Sequence, residues 1–204
     1  MANEKIILQV LTEQKEEVEI LKKRKLISRK EESLFEFDSS LAQVVIGVRR
    51  SGKSTLCHKI LNDKKIRYAY VNFDDDRLAN IQTEDLNTIL SCIYQIWGTD
   101  ISYIFLDEIQ NVEGWYLFVN RLLRMNMHLF VTGSNAKLLS GELATHLTGR
   151  YNEIRLYPFS FKEYCQYKKI NTSYSTTKEK GLLQAVFEEY LKDGIRDIHH
   201  SKTY

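Results

Sequence analysis

Proline is almost missing from this chain, with Pro158 alone among 204 residues, and glycine is scarce at nine. That shortage excludes collagen-like and Pro/Gly-rich low-complexity chains. Cysteine is confined to Cys57, Cys92 and Cys165, too few and too widely spaced for a disulfide framework or a CxxC metal knuckle. A reducing cytoplasm is the natural setting, with each thiol serving as a small buried hydrophobe. No apolar run approaches the ~18 residues that span a bilayer, and Met1-Ala2-Asn3-Glu4-Lys5 lacks a basic head before an apolar core. The expectation is a cytoplasmic protein with no membrane partner. An excess of either charge is also missing. The 29 Lys plus Arg against 27 Asp plus Glu leave +2, which demands no nucleic acid but leaves a local basic patch open.

What remains is an ordinary globular composition, 43% hydrophobic and 27% charged, enough for one core with an appendage. Residues 4 to about 32 read as a charged helix with an interrupted stripe of Ile6, Ile7, Val10, Leu11, Val18 and Leu21, an arm or docking helix within residues 1–40. The basic run Lys22-Lys23-Arg24-Lys25 reads as a solvated helix face, with phosphate binding as the alternative. From residue 41 short apolar runs alternate with helical periodicity, the pattern of a parallel sheet covered by helices. Strands are expected at 43–46, 68–73, 103–106, 128–132 and 153–156. Helices are expected from Gly52, over Thr83 to Trp97 with Gly98 as the stop, after Gly114, and after Asn135 with Leu138, Leu139, Leu143 and Leu147. Beyond Pro158, Ser160 and Glu163 suggest a capping box. A polar stretch from Asn171 to Thr177 leads to a last helix ended by Asp193-Gly194.

The chemistry begins at Gly47-Val48-Arg49-Arg50-Ser51-Gly52-Lys53-Ser54, which matches GxxxxGK[ST], with a strand before it and the helical run from Thr55 after it. A polyanion needs backbone N–H groups converging on it; glycines let the loop approach, and the helix N-terminus adds about half a positive charge. Lys53 supplies a point charge to the β- and γ-phosphates and Ser54 a hydroxyl to Mg²⁺. A chance match over the whole chain runs below about 1%. Tyr103-Ile104-Phe105-Leu106-Asp107-Glu108 is a buried strand with two carboxylates at its C-terminal end, the edge where open α/β sheets bind ligands. Asp107 is read as the Mg²⁺ holder and Glu108 as the general base that polarises water. Leu129 to Asn135 forms another buried strand with Ser134 and Asn135 at its end, facing the γ-phosphate; Asn135 also suits a helix cap. Arg150 is either a surface residue or one that reaches a neighbouring subunit's γ-phosphate.

This order of elements, completed by Leu156-Tyr157-Pro158-Phe159-Ser160-Phe161, resembles the AAA+ branch of P-loop ATPases. More narrowly it resembles prokaryotic AAA-domain ATPases that carry a C-terminal domain of unknown function. The matching stretches cover residues 41 to about 165. The resemblance implies an α/β P-loop NTPase fold with a five-stranded parallel sheet of order 5-1-4-3-2. It also implies Lys53 and Ser54 as Walker A, Asp107 and Glu108 as Walker B, Ser134 or Asn135 as the first sensor, and Arg150 at the arginine-finger position. Domains then run 1–40 for the helical arm, 41–158 for the ATPase core, and 159–204 for a helical segment, a partial lid or the start of a truncated C-terminal domain. Asp74-Asp75-Asp76 reads as a solvated turn on the same sheet edge, with a role at the site or a subunit interface as the alternative. The expected function is Mg²⁺-dependent binding and hydrolysis of ATP. The alternatives are a nucleotide-gated scaffold acting through a DNA or protein partner, and a small-molecule kinase. A homo-oligomer is open.

Overall fold

The computed structural model describes residues 3–24, 26–134 and 145–193. Of these, residues up to 47 together with 53–156 form one compact unit, and residues 48–52 together with those from 157 onward form a second.

In the first unit, helix α1 (Glu4–Leu21) is followed by strand β1 (Ala42–Gly47), helix α2 (Lys53–Asp63), strand β2 (Tyr68–Asn72), helix α3 (Leu86–Trp97) and strand β3 (Tyr103–Asp107). Helix α4 (Trp115–Arg124) and strands β4 (His128–Ser134) and β5 (Tyr151–Arg155) complete it. The strands are parallel in the order β2-β3-β4-β1-β5, which is the expected 5-1-4-3-2 read from the other side. Each strand is an apolar run because both of its faces are covered. Alternation sorts the side chains: Val44, Ile46, Val71, Ile104, Leu106 and Val131 join the core with α1, α3 and α4. On the other face Val45, Tyr70, Phe105 and Phe130 pack with Leu56, Cys57, Ile60 and Leu61 of α2. The period of two therefore puts Asp107 and Thr132, two residues beyond Phe105 and Phe130, on the α2 face.

Two expectations shift at the N-terminus. The helix expected to reach residue 32 ends at Leu21, and residues 30–34 form a separate 3₁₀ turn. Its stripe is also buried against the sheet, with Ile7, Val10 and Leu11 in one core and Val18 in the other, so α1 wraps the outer edge of β2. Between those positions the buried Gln14 side chain accepts from Asn72 N–H (3.0 Å) and donates to Asn72 C=O (3.2 Å). An amide side chain thus satisfies backbone groups that an edge strand leaves open. Ile6 is exposed instead of buried.

Elsewhere the limits move by a residue or two. Thr83–Asp85 is a 3₁₀ turn leading into α3, and Gly98 ends α3 at φ +90°, a conformation that glycine adopts without a Cβ penalty. The helix expected after Asn135 lies outside the described residues apart from residues 145 and 146, and Leu147, just past them, is buried. All three cysteines are buried and unbridged. Among the described residues no helix is long and apolar enough to cross a membrane.

In the second unit, helix α5 (Phe161–Tyr167) opens with the expected box: Ser160 N–H donates to Glu163 Oε2 (2.8 Å) and Glu163 N–H to Ser160 Oγ (3.3 Å). Helix α6 (Thr177–Asp193) packs Val186 against Tyr164 and Cys165 of α5. Tyr190 Oη donates to Phe159 C=O at 2.8 Å, and Lys168 pairs with Glu189 at 2.7 Å.

Candidate functional site

Four strands end at one edge of the sheet. β1 ends at Gly47, whose register partner is Ser134 at the end of β4, and β3 ends at Asp107, beside Asn72 at the end of β2. The strands are parallel, so all of these ends lie on the same side. The glycine-rich segment Val48-Arg49-Arg50-Ser51-Gly52 connects β1 to α2. Within it Ser51 N–H donates to Val48 C=O at 3.2 Å, with Arg50 at φ +66° and Gly52 at φ +90°. Lys53, Ser54 and Thr55 then form the first turn of α2.

Asp107 is the centre of the arrangement. It is 4% exposed, and its Oδ1 accepts from Ser54 Oγ at 2.9 Å and from Thr132 Oγ1. Its Oδ2 accepts from Tyr70 Oη at 2.9 Å. Burial raises the carboxyl above its ordinary value, and the three hydroxyl bonds pull it partly back. The same burial, with the Asp107 charge beside it, raises the Tyr70 hydroxyl, so Tyr70 remains a donor.

Glu108 follows in a left-handed backbone conformation, φ +53°, which turns the chain sharply out of the strand. Such a conformation costs a non-glycine residue about 1 kcal/mol and persists where its surroundings hold it. Here Glu108 N–H donates to Thr132 Oγ1 at 3.1 Å. The Glu108 side chain is fixed at both oxygens, with Oε1 3.5 Å from Lys53 Nζ and Oε2 accepting from Gln110 Nε2 at 2.5 Å. Lys53 Nζ also donates to Gly47 C=O at 3.3 Å. The two motifs therefore meet through two contacts, Lys53 with Glu108 and Ser54 with Asp107.

Thr132 was not foreseen. The strand-end residues singled out from sequence were Ser134 and Asn135; Ser134 does sit at this edge, and Asn135 lies outside the described residues. Yet the hydroxyl that contacts both acidic positions belongs to Thr132, two residues earlier and fully buried. A hydroxyl interrupting the apolar run Leu129-Phe130-Val131 was the available signal. Tyr70 carried none, because an aromatic residue in a strand reads as core.

Arg150 lies at the opposite edge of the sheet. Its C=O accepts from Ala42 N–H at 3.0 Å, at the start of β1, and its guanidinium donates to Asn120 Oδ1 on α4 at 2.9 Å. Six residues of β1 separate it from Gly47, about 16 Å of strand. Asp75 also has a settled role: its carboxylate caps a 3₁₀ turn, binds Arg77 Nε and Nη2 at 2.9 and 2.8 Å, and accepts from Gln14 at 3.4 Å. Arg77 in turn pairs with Glu13 of α1 at 2.5 Å, so the acidic turn fastens α1 to the end of β2.

Residues 39–165 match the model of a protein family described as an AAA domain. An uncharacterized protein of Methanocaldococcus jannaschii is 39% identical over 180 residues, 87% of this chain and 40% of that protein. An uncharacterized protein of Haemophilus influenzae is 37% identical over 180 residues, 83% of this chain and 43% of that protein. The chain thus spans about two fifths of the length of these curated relatives. Among solved structures, a Walker-type ATPase of Pyrococcus abyssi is similar at a TM-score of 0.49 and 16% identity, over 85% of this chain and 72% of that one.

Proposed function

The chain belongs to the family of AAA domains and has the fold of a P-loop NTPase, and from that premise we propose that it binds ATP with Mg²⁺ and cleaves the β–γ bond by attack of water. The observation that carries the reading is the 2.9 Å bond from Ser54 Oγ to Asp107, which joins the glycine-rich motif to the acidic strand end. Both donors are oxygen. They suit Mg²⁺, a hard cation that takes one or two protein ligands when phosphates and waters supply the rest. Ser54 and Asp107 would hold it, directly or through water, and the ion bound there would supply charge neutralisation for the β- and γ-phosphates.

The remaining residues act on the substrate and the water. The amides from Gly47 to Thr55 cradle the phosphates, with the N-terminus of α2 favouring their negative charge. Lys53 divides its ammonium between Gly47 C=O and Glu108, and a polyphosphate competes for that ammonium. Glu108, relieved of the lysine and still oriented by Gln110, accepts a proton from the attacking water. Thr132 fixes the angle between Asp107 and Glu108. Ser134 stands at the same edge for the γ-phosphate, and Asn135 beyond it shares that assignment. Arg150, on the far edge, serves the site of a second copy of the chain, which makes a homo-oligomer the active form.

Phosphate release and ATP binding test this reading. Wild type hydrolyses ATP when Mg²⁺ is present; Lys53→Ala binds ATP at least about tenfold more weakly. Glu108→Gln keeps ATP and loses about 100-fold or more in turnover. Absence of ATP binding by wild type, or equal binding by Lys53→Ala, overturns the proposal.

A further inference from the structure

Because α1 stops at Leu21, Lys22, Lys23 and Arg24 leave the helix as a turn instead of spreading around its circumference. The turn between α2 and β2 carries a second basic group, Lys64, Lys65 and Arg67. These segments are some forty residues apart in sequence, and the fold brings them together at the start of β2. Lys22 Nζ stands 5.9 Å from the centre of the Tyr68 ring. Lys22, Arg67 and Tyr68 share a cleft of about 340 Å³ with Lys15 and the half-buried Trp97.

All six cations of the two turns are exposed. Glu19 pairs with Lys22 and Asp100 with Arg67, both at 2.5 Å on the open surface, where such pairs hold weakly. Lys23, Arg24 and Lys65 have no ion pair among the described residues. In a chain of net charge +2 this is a local concentration, not a reflection of overall composition.

Cations in two short turns beside an aromatic cleft match a flexible polyanion whose bases are free to leave the stack. Phosphates would lie along Lys23, Arg24 and Lys65, and a base would enter against Trp97 by displacing Lys15 Nζ, which stands 5.5 Å from the centre of that ring. A duplex keeps its bases stacked and offers the cleft nothing. We propose that the start of β2, with the turns at 22–24 and 64–67, is a binding surface for single-stranded nucleic acid. It lies apart from the strand ends that carry Asp107 and Ser134. The cleft is also lined by Tyr70, the residue that donates to Asp107, so one side chain adjoins both places.

Fluorescence anisotropy with labelled oligo-dT and oligo-U of about 20 nucleotides tests the surface in the absence of ATP, so its outcome is independent of the nucleotide site. Wild type binds one or both oligomers at low salt, with a logarithmic salt slope of about −4 for the six cations. The exposed triple substitution Lys23→Gln, Arg24→Gln, Lys65→Gln leaves the melting temperature in place. It weakens binding at least about tenfold and makes the slope shallower by about 2. Equal affinity in wild type and triple variant overturns the proposal, as does no binding by wild type at about 50 mM salt. A duplex of the same length that binds as tightly, or polyglutamate that competes as well as the oligomer, overturns the choice of partner.

Discussion

Two acidic strand ends lie side by side on one edge of this sheet. Asp107 and Glu108 close β3, and Asp74, Asp75 and Asp76 follow β2; Asn72 is the register partner of Asp107. Their partners separate them. Asp75 meets a guanidinium, and the Arg77 hydrogen bonds hold its carboxyl below the ordinary value. Asp107 meets three hydroxyls and, among the described residues, no cation within bonding distance, and burial pushes its carboxyl up. A carboxylate already matched to an arginine is a fastener. One kept buried, hydrogen-bonded by neutral donors and aimed at a strand end is equipped to receive a cation from outside.

The contrast can be broken most sharply by the same substitution at both ends. Asp107→Asn should lower ATP turnover by about 1,000-fold. Asp75→Asn should leave turnover within about twofold and lower the melting temperature by about 2–4 °C. Similar kinetic losses in the two variants would erase the distinction.

Thr132→Val is the next largest effect. Valine keeps the volume but removes both the donor to Asp107 and the acceptor for Glu108 N–H, so kcat should fall about 10- to 100-fold while the KM for ATP stays within about threefold. A loss confined to KM would show that Thr132 supports binding instead of the alignment of the two acids.

Tyr70→Phe removes one hydroxyl from Asp107 Oδ2 and leaves the ring in the core. The Mg²⁺ concentration for half-maximal activity should rise about tenfold, with maximal turnover at saturating Mg²⁺ little changed. An unaltered Mg²⁺ dependence would reduce Tyr70 to packing.

An effect on stability instead of catalysis concerns His58, buried between Tyr70 and Phe105 with Nδ1 2.9 Å from Tyr68 Oη. Burial, aided by the Lys22 charge, lowers its pKa to about 4 from an ordinary 6.5. Between those values the unfolded chain takes up a proton that the folded chain refuses. The stability contribution is therefore complete above about pH 6.5 and is lost as pH falls toward 4, by about 1.4 kcal/mol per unit. Urea midpoints at pH 7, 6 and 5 should fall more steeply in wild type than in His58→Phe. Parallel slopes would contradict the buried neutral imidazole.

Much of this was readable before the fold was seen, for physical reasons that differ from element to element. A doubly covered strand has to be apolar throughout, so Val44–Ile46, Ile104–Leu106 and Leu129–Val131 announced themselves, as did the glycine-rich loop between a strand and a helix. The strand order came from the resemblance to a family, because local pattern says nothing about which strands pair. The end of α1 was hidden, since Lys22 to Arg24 are good helix formers and no glycine or proline marks Leu21 as the last turn; packing against α3 and the edge of β2 decides it. Thr132 and Tyr70 were hidden because each acts through a partner far away in sequence. Their roles depend on the period-two alternation that turns Asp107 and Thr132 toward α2, which appears only once the register is known.

The central claim is that Ser54 and Asp107 form one Mg²⁺–nucleotide site, and calorimetric titration of ATP tests it most directly. Wild type should bind ATP at least about tenfold more tightly with Mg²⁺ than with EDTA, and Ser54→Ala should lose most of that difference while retaining the EDTA affinity. An identical Mg²⁺ enhancement in Ser54→Ala, or none in wild type, would contradict it.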